Sequence, residues 1–123
     1  MNSFSYPPQA LSGRQQDLLR LLAHVYLQHD KPERAVVLLH ALHALAPGDA
    51  LSEKLLAYAY VRSGRPHEAM LLLDPLLERG GVGPEVHLMR SQAYGLMGRM
   101  SDAAWAMRRY VEARSAAPAA EEA

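Results

Sequence analysis

His40 and His43 stand three residues apart, a spacing that can put two imidazoles on one metal ion. No third ligand lies at a recognisable spacing, so the pair reads as surface histidines and no metal is expected. His24 is a lone histidine, suited to a hydrogen bond or a groove wall. Gly80, Gly81 and Gly83 form a glycine-rich stretch, but they follow a helical pattern rather than a strand, which excludes a phosphate-cradling loop. No Ser/His/Asp set or carboxylate pair has a spacing that supports catalysis. The chain has no cysteine, hence neither a disulfide framework nor a thiolate, as suits a reducing compartment. Met-Arg-Arg at 107–109 is a short basic patch that a solvated helix face explains. The six methionines fit core gaps or an adaptable binding surface. The expectation is a non-enzyme without cofactor.

The bounds on size and charge agree. The chain's 123 residues suffice for one domain. Lys plus Arg and Asp plus Glu number 13 each, giving no electrostatic reason to expect nucleic acid. The opening "MNSFSYPPQALSG" has neither the basic nor the apolar region of a signal peptide. No apolar run approaches the ~20 residues that span a bilayer. The expected place is the compartment of synthesis, with no membrane insertion.

What remains must come from how the elements are arranged, and a fixed period governs them. Tyr26, Tyr60 and Tyr94 are 34 residues apart, and so are Ala35, Ala69 and Ala103. Gly64 and Gly98 share a turn position with Asp30, and Pro47 closes the first copy where Gly81 and Ser115 close the later ones. Such a period marks stacked supersecondary units. From about Gln16 to Ser115 the chain resembles tetratricopeptide repeat (TPR) proteins. The resemblance implies an all-α fold of three helix-turn-helix repeats in a short right-handed superhelix with a concave groove. Gly or Asp ends each first helix in a left-handed conformation. The alanine allows the two helices a close approach, and the tyrosine fills the space between them.

The 3.6-residue periodicity predicts helices at about 13–28, 32–46, 50–63, 66–79, 84–97 and 101–114. Pro32 and Pro66 suit a first helical turn, Ser101 and Asp49 suit N-caps, and Pro84 suits the first turn of the fifth helix. Asp74-Pro75 predicts a kink or break in the fourth helix. "RGGVGP" at 79–84 reads as a loose linker. The expected organisation is a flexible N-terminus at 1–11, a three-repeat domain at 12–115 and a disordered tail at 116–123.

In stacked TPR units the first helix of each pair lines the concave side. Counting from the tyrosines places Asp17, Arg20, Leu21, His24, Leu27 and Gln28 there in the first repeat. The second contributes Leu51, Lys54, Leu55, Tyr58, Val61 and Arg62. The third contributes Glu85, Leu88, Met89, Gln92, Gly95 and Leu96. So apolar a set predicts a binding groove. His24, Leu55 and Leu88 stand where TPR domains that clamp a C-terminal carboxylate carry polar and basic groups. The cations Arg20, Lys54 and Arg62 do not restore that pattern, so an amphipathic helix is the better ligand. Trp105, in a last helix with no polar cap after it, is expected half-exposed on the open flank as a second contact, with Met107 and Tyr110 facing inward.

The segments "RQQDLL" at 14–19, "ERAVVLLHALHALAP" at 33–47, "RSQAYGLMGRMSDA" at 90–103 and "RRYVEA" at 108–113 together resemble the YscY (SctY) family of type III secretion chaperones. That resemblance covers about Leu11 to Arg114 and is weakest in the second repeat. It implies a bacterial cytoplasmic protein, recruited to the cytoplasmic face of the inner membrane, that keeps a small early-secreted protein of the YscX (SctX) type soluble. The pair then engages the export-gate protein. A homodimer is expected when the partner is absent. The alternatives are a needle- or translocator-subunit chaperone and a generic TPR interaction scaffold.

Overall fold

The computed structural model of the chain describes residues 11–80 and 83–122, with side chains described up to 116. Its helices are α1 (Gly13–Gln28), α2 (Pro32–Leu45), α3 (Ala50–Arg62), α4 (Pro66–Arg79), α5 (Glu85–Leu96) and α6 (Met100–Glu122). Consecutive helices pack antiparallel, and α1 with α3 and α3 with α5 also touch. The result is an all-α stack of three helix pairs.

The turn inside each pair repeats atom for atom. Asp30, Gly64 and Gly98 take φ of 58°, 75° and 76°. At each, the next residue's N–H donates back to the tyrosine carbonyl: Lys31 to Tyr26 at 2.8 Å, Arg65 to Tyr60 at 2.8 Å and Arg99 to Tyr94 at 2.9 Å. This is a Schellman cap, which satisfies carbonyls that a helix end leaves open. It explains why the spacing between tyrosine and turn residue is constant. The alanine that follows is fully buried in the first two copies (Ala35, Ala69) and partly buried in the third (Ala103). Between them the helix pairs enclose a core of Leu39, Leu42, Leu56, Leu73 and Val86.

Several boundaries differ from the sequence expectation. α6 starts at Met100, the position of Pro66 and Pro32 one and two periods earlier, so Ser101 lies inside the first turn and does not cap it. Ser12 caps α1 in a full capping box with Gln15, and Asp49 caps α3 by accepting from Leu51 N–H at 3.2 Å. Pro84 immediately precedes α5 rather than joining its first turn. α4 does not break at Pro75: both Pro75 and Leu71, whose carbonyl loses its helical partner, lie on the exposed face, where solvent can reach that carbonyl. Asp74 is therefore no fresh cap and instead pairs with Arg90 at 3.2 Å.

α6 also outruns its expected end near Arg114 and carries helix through 116–122, where a disordered tail was expected. Alanine, the strongest helix former, dominates that stretch, and a proline costs one hydrogen bond rather than the whole helix. The expectation for 1–11 falls on residues outside the described ones except Leu11. The linker reading of 79–84 falls partly outside them, at 81–82. No helix among the described residues is long and apolar enough to cross a membrane.

Candidate functional site

The first helices α1, α3 and α5 lie side by side, and three hollows run along their shared face. One, of about 420 Å³, is walled by Leu51, Lys54, Leu55 and Tyr58 of α3 and by Glu85, Leu88, Met89 and Gln92 of α5. The next lies between His24, Leu27 and Gln28 of α1 and Leu55, Tyr58 and Arg62 of α3. The third is bounded by Tyr58, Val61, Arg62, Gln92, Gly95 and Leu96. All three meet at Tyr58. No second helix contributes a wall, so this is one continuous concave surface.

Apart from Asp17, Arg20 and Leu21, the positions counted from the tyrosines therefore converge on it. Leu27, Val61 and Met89 are buried and belong to the hydrophobic core as well as to the groove floor. His24, Leu51, Gln92 and Leu96 are exposed on its walls, and Leu55, Tyr58 and Leu88 are half-buried. Arg20 and Leu21 wall none of the hollows. Leu21 is exposed at the α1 end of the strip, in the repeat position of Leu55 and Met89.

Each groove cation has an acidic partner, which the linear sequence did not reveal. Arg20 donates to Asp49 at 2.6 Å, to Ser52 at 3.0 Å and to Asp17, and so ties α1 to the start of α3. Lys54 bridges to Glu85 at 2.7 Å, tying α3 to α5. Arg62 donates to Asp30 at 2.8 Å and to the Tyr58 hydroxyl at 3.0 Å. Burial works against ionisation of Glu85, but the Lys54 bond and its own backbone N–H outweigh it and hold the carboxyl below its usual range. The hydrogen bond to Tyr58, then that to Asp30, raises the pKa of Arg62 further. These cations brace neighbouring repeats, and the floor between them is hydrocarbon and the Tyr58 ring. A surface so arranged offers a mostly apolar strip that crosses α1, α3 and α5.

His40 and His43 have different surroundings. His40 is exposed, while His43 turns inward with Nδ1 at 3.7 Å from Glu53, a carboxylate buried against Arg79. Among the described residues no group of three or more histidines, cysteines or carboxylates can hold a metal.

Trp105 is half-exposed, with the Arg109 guanidinium 5.7 Å from its ring. The reason is not the open flank. Leu71 and Val37 occupy the same repeat position one and two periods earlier, and both are exposed. Trp105 thus ends a row on the outside of the second helices. Met107 is exposed rather than inward-facing, whereas Ala106 is buried and Tyr110 half-buried against α5.

A family model described as Tetratricopeptide repeat matches residues 26–93, more than half of the chain. A search of curated proteins found no match to it.

Proposed function

We propose, on the premise that this chain belongs to the tetratricopeptide repeat family, that it is a protein-binding module whose concave face holds an amphipathic helix of a partner protein. One observation carries this reading: three hollows converge on Tyr58 over an apolar floor, while Lys54 and Arg62 at their margins, and Arg20 beyond them on α1, are already paired with Glu85, Asp30 and Asp49. A carboxylate-ended peptide finds no uncommitted arginine pair here, but leucine-type side chains find three contiguous hollows.

The finer assignment is a cytoplasmic type III secretion chaperone of the YscY (SctY) type, binding a small secreted protein of the YscX (SctX) type and presenting it to the export gate. Its support is the order of the four segments at 14–19, 33–47, 90–103 and 108–113. The groove supplies the physical means: a partner helix seated on Leu55, Tyr58 and Leu88 cannot use the same face to self-associate. Co-expression tests this directly. With a YscX-type protein, the chain should co-purify as a heterodimer, and Leu55→Glu should release the partner. If a YscX-type protein never co-purifies while a needle or translocator subunit does, the chaperone class is the other one. If neither binds, the chain is an interaction scaffold of another kind.

A further inference from the structure

The 34-residue period relates each surface of the stack to two others, so burial can be compared position by position. Leu18, Ser52 and Val86 share one position, Leu22, Leu56 and Arg90 a second, and Val25, Ala59 and Ala93 a third. In α3 and α5 all six are buried, because these positions face the second helix of the preceding pair. The Arg90–Asp74 ion pair from α5 to α4 marks that direction. In α1 the same positions are open. Leu18 is 63% exposed where Ser52 is 1%, and Leu22 is 40% exposed where Leu56 is 1%.

The other end shows the converse. Leu39, Leu73 and Met107 share a position, as do His43, Leu77 and Val111. Leu39 and Leu73 are fully buried toward the following pair, while Met107 is 38% and Val111 54% exposed. Among the described residues α6 packs only on α5, and α1 only on α2 and α3. Terminal units of repeat arrays ordinarily turn polar residues outward. Among the described residues both outward faces expose large apolar side chains.

The two faces are complementary rather than alike. A second-helix face of the α6 kind already packs onto a first-helix face of the α1 kind twice within the chain, as α2 on α3 and as α4 on α5. We infer that a second copy of this chain seats its Met107–Val111 face on Leu18, Leu22 and Val25, so that copies stack head to tail and continue the array. The occupant is a second copy because the chain carries both halves of a junction that it uses twice internally. Such a contact is heterologous: each added copy presents a new free face, so association does not stop at two. The inference is independent of the groove reading, since the concave face stays open along the stack.

Sedimentation velocity from micromolar to near-millimolar concentration tests it. The wild-type weight-average mass should at least double across that range. Leu18→Glu spoils only the α1 face and Val111→Glu only the α6 face; both sites are exposed, and circular dichroism should show both variants fully helical. Each variant alone should stay monomeric. Mixed in equal amounts they should form a dimer and nothing larger, because each supplies the face that the other lacks. A monomeric wild type at all concentrations overturns the inference. So does a single variant that self-associates as the wild type does, which would reveal a symmetric or groove-mediated contact, or a mixture that fails to dimerise.

Discussion

Tyr58 is the residue on which the concave face turns, because all three hollows share it and Arg62 fixes its hydroxyl. Placing a carboxylate at this point or at Leu55 sets an unpaired charge against an apolar ligand. Tyr58→Glu and Leu55→Glu should each weaken partner binding at least about tenfold, roughly 1.4 kcal/mol or more, by titration calorimetry, with helical content unchanged. Ala69 makes the opposite kind of demand. It is fully buried where α4 crosses its neighbours, so Ala69→Leu should cost about 1–3 kcal/mol through overpacking. The same change at exposed Ala41 should leave the denaturation midpoint nearly where it was. His87 gives a pH signature. Burial first, then the charges of Arg109 and Arg90, lower its pKa below the ordinary 6.5. The unfolded chain therefore takes up that proton more readily than the folded one. His87's contribution to stability is complete above pH 6.5 and falls as pH drops below it. The depressed carboxyls Glu68 and Glu85 act only as pH falls past their ordinary 4.5. Urea midpoints should thus decline between neutral pH and the region just above 4.5, and His87→Gln should flatten that decline.

The helix pair is the unit in which the sequence was most legible. Tyrosine, turn residue and alanine are all fixed by one local geometry, the Schellman cap and the close crossing after it, so their spacing survives in the linear order. Gly98 and Gly95 show how sharply this depends on backbone conformation. Gly98 has φ 76°, and a side chain there is strained although its Cβ would meet nothing. Gly98→Ala should destabilise by about 1–2 kcal/mol. Three residues earlier Gly95 is helical with open space around it, and Gly95→Ala should stabilise by up to about 1 kcal/mol. Both are read from thermal melts. Proline was the poorer guide. Asp74-Pro75 suggested a kink or break, yet α4 runs as one helix through it. In α4 the loss falls on a solvent-facing turn while Leu73 and Leu76 hold the inner face, and tertiary burial outweighs one missing hydrogen bond.

Across the whole molecule, the line of groove positions could be counted from the period, but the pairing of its charges could not. Arg20 with Asp49, Lys54 with Glu85 and Arg62 with Asp30 each join different helix pairs, and nothing in linear spacing announces which long side chain will meet which acid. The outward placing of Trp105 was in principle countable, since Val37 and Leu71 share its position. With its cations internally paired, the groove should bind by apolar contact. Affinity for a partner helix should change little between low and high salt, where a charge-clamped peptide would lose much of its binding. The central claim, that the concave face holds the partner, is tested most directly by a photo-crosslinker placed at position 55 in the groove or at position 71 on the outer row. With a co-expressed YscX-type partner, illumination should join the partner to the chain from position 55 and not from position 71. Crosslinking from position 71 alone would put the partner on the outer face and contradict the account.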